Sequence, residues 1–373
     1  MTTKAKKEQN LLDKASREFA SKMLAPEREE NDKYPFGPFF DNVLDKAFEL
    51  DLFHVLLPEE IGGIGYNIDS LCVVLANICQ EDSSLGGIIF TNTLAQTLMM
   101  TAGDYEALGE ITKSSENVKD FLIAYPSMIN PSEVKFLPQT QKTNGNYMIT
   151  GSLDYLVLGS IAGHALIPAR VEGKDTYSFF LVKMDDKDIV AGEPVVSHGL
   201  HACPAVDVSF KGAKGVLVGA QDEGQAYFDQ SAVFMQLAAA SMAYGIMKGS
   251  LKESIDYCKK RSQGGRKIID WSALQMILAD MVIQTNVAEM LVKQACQQAE
   301  TKEKNWELMV KSAATHIQTA AASLVSDGIQ TMGGVGYMKD FGQEKRFRDV
   351  GHVNAFLGLA PMKKLRLLRE LVA

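Results

Sequence analysis

Two stretches of this chain carry residue types at spacings that could do chemistry. In SDGIQTMGGVGYMKDFGQEKRFRDVGHVNAFLGL, from Ser326 to Leu359, Gln330, Gly333, Gly334 and Gly336 crowd into one short turn between helical segments. Glycine lets backbone approach a ligand closely and adopt positive φ without steric cost. In KRSQGGRKIIDWSALQMILADM, Arg261 stands near Gln263 and Gly265. A guanidinium beside amides left uncovered by glycine suits an anion, through charge-assisted hydrogen bonds. Taken singly these features are weak, since glycine clusters more often make turns than cofactor sites and a lone arginine at a helix end is more often solvated. His201, His316 and His352 have no ligand spacing and read as surface or core histidines, so no metal site is expected.

Composition bounds what these residues can mean. With 373 residues, 46% of them hydrophobic, the chain can bury a large core shared by two or three packed subdomains. It lacks any run of roughly 18 apolar residues, so no membrane span is expected, and MTTKAKKEQN at the start has no apolar signal-peptide core. A cytoplasmic location is therefore expected. The five cysteines show no CxxC spacing, which argues against zinc and against a disulfide framework. A net charge of −8 without a long basic run argues against nucleic acid as the main partner.

The elements that must position these residues fall into three regions. Apolar residues at helical spacing predict helices over about 9–25, from Phe39 to Leu52 and from Asp69 to Cys79, with helical character to about Val118. The runs FLIAY, NYMITG, HALIPARV, TYSFFLVKM and AVDVSF then predict an antiparallel sheet between residues 119 and 219. No helices alternate with these strands, which excludes a doubly wound nucleotide fold. From residue 220 to 373 the helical period returns in long Ala-rich segments suited to a four-helix bundle. The expected class is α+β: an N-terminal helical domain over 1–118, a middle β domain over 119–219 and a C-terminal helical bundle over 220–373.

Over nearly the whole length this pattern resembles the acyl-CoA dehydrogenase family, FAD enzymes that oxidise acyl-CoA thioesters at Cα–Cβ. PEEIGGIG from Pro58 resembles the family's P-E-E-x-G-G-x-G. Gln330 to Tyr337 resembles Q-x-x-G-G-x-G-Y, and Glu344, Arg346, Arg348 and Asp349 resemble E-R-x-x-R-D with Lys345 inserted. Arg261, Gln263, Gly265, Ile268 and Leu278 to Met281 resemble R-x-Q-F-G-x-x-I followed by L-A-D-M, with Gly264 in place of the phenylalanine.

Other family positions are lost. Where Y-E-G-T carries the usual base, the chain has Phe356, Leu357, Gly358 and Leu359, and Leu357 accepts no proton. Met235 and Gln236 occupy the place where some members carry the base instead, and nothing in the spacing of Glu223 or Asp229 sets either over a substrate carbon. PSMINPSE, Pro126 to Glu133, stands for T-E-P-x-A-G-S-D, and Tyr155 to Leu158 stand for W-I-T-N. His201 and Cys203 replace the Arg and Ser of G-x-R-x-S. A positioned general base is worth about 10²–10⁴-fold, so ordinary dehydrogenation at this chain's own site is not expected.

In the family, the arginine and the Gln-Gly-Gly turn reach across a subunit interface to the diphosphate end of a neighbour's FAD. The resemblance therefore implies a hetero-oligomer that degrades a fatty or aromatic acyl-CoA. This chain would share FAD with a homologous catalytic subunit, which binds the acyl-CoA, and would hold that FAD through Arg261, Gln263, Gly265, Gln330, Gly333 and Gly334. Electrons would leave to an electron-transferring flavoprotein. Two other readings remain open at this level: a homomeric flavoenzyme with altered chemistry or a relocated base, and a flavin-free scaffold or CoA-ester-binding protein.

Overall fold

In a computed structural model, which describes residues 3–39, 41–143 and 146–372, the chain begins with α1, Thr3–Phe19, continued by a π-helical turn, Ala20–Leu24. α2 follows at Asp41–Glu49. This is shorter than the helix expected from Phe39, and position 40 lies outside the described residues. After the glycine loop come α3, Ile68–Glu81, and α4, Ser83–Thr101. Asn67 caps α3 by accepting from the Ser70 amide, and Asp82 caps α4 by accepting from the Ser84 amide at 2.8 Å. Every residue of α4 from Ser83 to Met99 is buried. Gly86 and Gly87 allow this, because a Cβ at either position would meet Cys79, or Leu200 and Cys203, at close range. Short helices α5, Tyr105–Ser114, and α6, Val118–Phe121, complete the region.

The middle region contains β1, Ile123–Ala124, β2, Gln139–Thr143, β3, Asn146–Val157, β4, His164–Val171, β5, Ser178–Lys183, β6, Ile189–Pro194, and β7, Ala205–Val218. The order β4-β2-β3-β7-β5 closes on itself through β4–β5 pairing, with β1 on β4 and β6 on β7. The expectation of an antiparallel sheet needs correction, since β1 and β2 each pair with β4 in parallel. β2 and β6 were not expected from the sequence. In β2 only Thr140 is buried, and β6 is exposed from Val190 to Pro194, so neither carries an apolar alternation.

α7, Gly224–Lys260, starts the C-terminal region and buries Leu237–Ala240 among many others. A small hairpin follows, β8, Ser262–Gln263, with β9, Arg266–Lys267, and then α8, Ser272–Thr301, and α9, Trp306–Met332. α10, Gly342–Ala355, packs on α7 and α9, and α11, Ala360–Val372, packs on α9. Among the described residues no helix is long and apolar enough to cross a membrane, and no group of His, Cys, Asp and Glu is arranged to hold a metal ion.

α10 ties the three regions together with charge. Lys345 Nζ lies 3.2 Å from Asp82 Oδ1 and 2.7 Å from Asp349 Oδ2, all three side chains being buried. Asp349 also accepts the Leu200 amide at 2.8 Å. Arg348 pairs with Asp32 at 2.5 Å and with Glu344 at 2.6 Å, while Arg346 pairs with Glu253. His201, which stacks on Phe36, stands 2.8 Å from Asp32. Burial would raise the Asp32 carboxyl, but the hydrogen bond from His201 and the charges of Lys345 and Arg348 outweigh it and hold it at about 2.

Removing one partner from a buried pair leaves an uncompensated charge. Lys345→Met is expected to cost about 3–5 kcal/mol in urea unfolding, and adding Asp82→Asn should recover part of that loss. A K345M protein as stable as the wild type would show that the pair is dispensable. A depressed carboxyl stabilises the fold above its unfolded pKa of about 4 and ceases to do so as pH falls through its folded value. The stability deficit of Asp32→Asn relative to wild type should therefore shrink as pH falls from about 4 to about 2, read by denaturation at each pH.

Candidate functional site

The loop after α10 is the place where the sequence resemblance puts the base. Leu357 is buried completely, at 0% exposure, with φ of 62°. Its amide donates to the Ser127 carbonyl at 2.8 Å, and Gly358 follows with φ of 108°. A leucine in the left-handed region costs about 1–2 kcal/mol, and the loop keeps it there. Beside it Phe356 stacks on Phe90, centroids 4.5 Å apart and planes within 9°. Ser127 Oγ donates to Thr91 Oγ1 at 2.8 Å, so the first serine of PSMINPSE turns into α4. Leu156, Val157 and Leu158 are buried as well.

A register shift in β3 between Leu153 and Leu156 brings Tyr155 out of line, with φ of 59°. Its hydroxyl lies 3.3 Å from His352 Nε2, and His352 Nδ1 lies 2.8 Å from the Gly199 carbonyl. Burial lowers the His352 pKa more than that carbonyl and Asp349 raise it. The neutral ring therefore donates through Nδ1 and accepts from Tyr155. Burial pushes the Tyr155 phenol up to about 12 against a hydrogen bond from Ser197, so it too stays protonated. Glu133 comes near the loop, its Oε2 3.4 Å from where a Cβ on Gly358 would lie, but it is held in an ion pair by Arg366. Met235 is buried at 0% exposure and offers no base. The loop therefore offers no base: an apolar side chain occupies position 357, and Tyr155, His352 and the Gly199 carbonyl bond to one another.

The second stretch has the opposite character. Arg261 caps the C-terminus of α7, and Gly264 and Gly265, with φ of 66° and 83°, make the two-residue turn of the β8–β9 hairpin. Gly333, φ 61°, caps α9, its amide donating to the Gln330 carbonyl. Cys258 Sγ sits 3.8 Å from the Thr331 carbonyl, so the ends of α7 and α9 are neighbours and the two motifs emerge side by side. Arg261, Gln263, Gly265, Gln330, Gly333 and Gly334 are all exposed, and a Cβ on Gly265 or Gly333 would meet nothing within 4 Å.

Both glycine turns follow helix C-termini, where carbonyls and the negative end of the dipole point outward. Attraction for an anion must come from side chains, and Lys259, Lys260, Arg261, Arg266 and Lys267 are all exposed here. Sequence reasoning missed Trp271. Its indole covers Gly264, 2.9 Å from where a Cβ would lie, donates to the Gln263 carbonyl at 3.3 Å and carries the Arg266 guanidinium 3.6 Å above its ring. The aromatic absent at Gly264 is thus replaced from seven residues further on. These exposed cations and uncovered glycines could hold an anionic group at the surface of the chain.

Residues 6–108 match the family model described as the acyl-CoA dehydrogenase N-terminal domain, and residues 222–369 match the one described as the acyl-CoA dehydrogenase C-terminal domain. The chain belongs to the acyl-CoA dehydrogenase family. Among its relatives, the cyclohex-1-ene-1-carbonyl-CoA dehydrogenase of Syntrophus aciditrophicus is 25% identical over 98% of this chain and 90% of its own length. The caffeyl-CoA reductase-Etf complex subunit CarC of Acetobacterium woodii is 24% identical over 96% of this chain and 97% of its own. The butyryl-CoA dehydrogenase structure from Megasphaera elsdenii superposes with a TM-score of 0.87 at 19% identity, covering 100% of this chain and 99% of that one. Three domains in the order helical, β and helical are therefore the acyl-CoA dehydrogenase fold.

Leu357→Glu provides a test of the filled site. A carboxylate there would be buried without a partner, so the variant should lose more than about 3 kcal/mol of stability at pH 7. The deficit should narrow as pH falls and the carboxyl protonates, and no dehydrogenation should appear. Wild-type stability at pH 7, or activity from this single change, would show instead that an open site survives.

Proposed function

We propose that the chain is the non-catalytic subunit of a hetero-oligomeric, FAD-dependent acyl-CoA dehydrogenase. It donates Arg261, Gln263, Gly265, Gln330, Gly333 and Gly334 in trans to the flavin of a homologous catalytic subunit. The observation that carries this reading is the contrast between the two stretches: Leu357 is sealed in the core, while every residue of the diphosphate set is exposed, and a Cβ on Gly265 or Gly333 would meet nothing within 4 Å. Bound FAD would supply the acceptor for Cα–Cβ oxidation of a fatty or aromatic acyl-CoA held by the partner. The part of this chain is to fix the diphosphate end by charge and by uncovered backbone.

An apolar face supports a partner beside that set. Met276, Ile283 and Met290 stand on α8 seven residues apart, 57–65% exposed, on the helix that leaves the hairpin. Such a stripe suits a facing helix. An electron-transferring flavoprotein as acceptor fits the naming of one relative as a subunit of an Etf complex. A cytoplasmic location fits five cysteines that are all free and buried.

Arg261→Ala decides the trans role. In the co-expressed complex it should weaken flavin retention about tenfold or more, as loss of a charge-assisted partner implies, with both chains still folded by circular dichroism. The flavin-to-protein ratio from visible absorbance is the readout. Unchanged flavin in the R261A complex, or about one flavin per chain in this protein purified alone, would sink the reading.

A further inference from the structure

A cleft of about 310 Å³ opens between the C-terminal turns of α7, the ends of α3 and α9, the start of α10 and Arg28 in the segment after the π-helical turn. That volume stands at the lower end of the range for small-molecule sites. None of the residues assigned to a partner's flavin lines it. Gly342 lets two guanidiniums lie side by side, since a Cβ there would stand 2.5 Å from Arg346 Nη1 and 2.6 Å from Arg28 Nη2. Burial would raise the Glu253 carboxyl, but the charges of Arg346 and Arg28 outweigh it and hold it down, so one carboxylate stands against both.

Arg28 is the unmatched member. Arg346 has Glu253 and the Gln80 carbonyl, and Lys252 has Glu81 at 3.5 Å. The Arg28 side chain is only 16% exposed, and its nearest carboxylate oxygen, on Glu253, is 3.7 Å away, too far for a hydrogen bond. Its Nε is buried without a partner. A guanidinium carries five N–H donors, and leaving them without acceptors is costly. Among the lining residues four cations, Arg28, Lys252, Lys260 and Arg346, face three carboxylates, Glu81, Glu253 and Asp256. The charge that lacks a counterpart is therefore positive, and it lies where Arg28 lacks acceptors.

We propose that this cleft binds an aromatic monocarboxylate, its carboxylate forked on Arg28 and its ring against Tyr257, Phe341 and Met332. A guanidinium holds a carboxylate through two parallel N–H···O bonds, which gives Arg28 the acceptors it lacks. One spare positive charge balances a monoanion, and the three carboxylates on the same walls disfavour a multiply charged phosphoryl group. The apolar wall is aromatic: Tyr257 and Phe341 meet edge to face, centroids 6.1 Å apart and planes at 86°, beside the buried Met332. A further ring gains edge or offset contacts from such a pair and a sulfur contact from the methionine. The site lies outside the flavin set, so the two proposals stand or fall separately.

The experiment titrates benzoate, acetate, benzyl alcohol and inorganic phosphate separately into the full chain, by calorimetry. Saturable binding of benzoate is expected, with the carboxylate that lacks a ring, the ring that lacks a charge and phosphate each weaker. Arg28→Met should weaken benzoate about tenfold or more. Glu253 keeps Arg346 in that variant, so its melting temperature without ligand should stay close to the wild type. Arg28→Lys keeps the charge but loses the fork and should also weaken benzoate. Phe341→Leu should bring benzoate toward the affinity of acetate while leaving acetate unchanged, which separates the ring from the charge. Absence of saturable benzoate binding, wild-type affinity in Arg28→Met, or acetate or phosphate binding as tightly as benzoate would each overturn the proposal.

Discussion

The constraint on which the structure depends is the neutralisation of a buried lysine. Lys345 lies in the core of the molecule between Asp82, the cap of α4, and Asp349, one helical turn on in α10. Burying three charges is expensive, and their attraction repays the cost only when the geometry is good and the remaining oxygens are satisfied. Here Asp349 accepts the Leu200 amide on its other oxygen, whereas the Ser84 amide shares Asp82 Oδ1 with Lys345 and leaves Asp82 Oδ2 without a hydrogen-bond partner among the described residues. One set of charges thus fixes the start of the central N-terminal helix, a loop of the β domain and a C-terminal helix relative to one another. Arg348 on Asp32 and Arg346 on Glu253 extend the set on either side.

That arrangement changes what the E-K-R-F-R-D stretch means. Its charged residues resemble a family signature, yet in this chain Lys345, Arg346, Arg348 and Asp349 are buried and paired with one another or with neighbouring segments. Their retention follows from the architecture and carries no information about catalysis. Arg261 and Gln330 differ, because no described packing in their own chain requires their side chains to be what they are. Motif matches therefore divide by burial, and the exposed set is the one that carries the functional argument.

Much of the fold was legible because periodicity reports burial. The long helices α7, α8 and α9 could be read from their length and Ala-rich apolar content, and β3, β4, β5 and β7 from short β-branched and aromatic runs, of which only β7 alternates cleanly between buried and exposed. β2 escaped because its Gln-Thr-Gln-Lys-Thr side chains are nearly all exposed, and the parallel pairings onto β4 escaped because register across a closed sheet is set by partners distant in sequence. Distance in sequence also hid the ionic knot: Lys345 and Asp82 are separated by 263 positions, Arg348 and Asp32 by 316. The lack of a base at Leu357 could be read directly, whereas Trp271 could not. A tryptophan shielding a glycine looks in sequence like any surface residue.

The buried loop after α10 also shows how leucine at position 357 is accommodated. Leucine at position 357 holds a left-handed conformation at a cost of about 1–2 kcal/mol, but its complete burial returns about 1.5–3 kcal/mol. The stacking of Phe356 on Phe90 and the amide bond to Ser127 add to that side. A buried unpaired glutamate at this position would instead need an occupant to compensate for its desolvation. Without such compensation leucine is the more stable residue at this position. The exposed set differs: Gly264, Gly265 and Gly333 take positive φ at turns of their own chain, while the side chains of Arg261 and Gln330 are exposed.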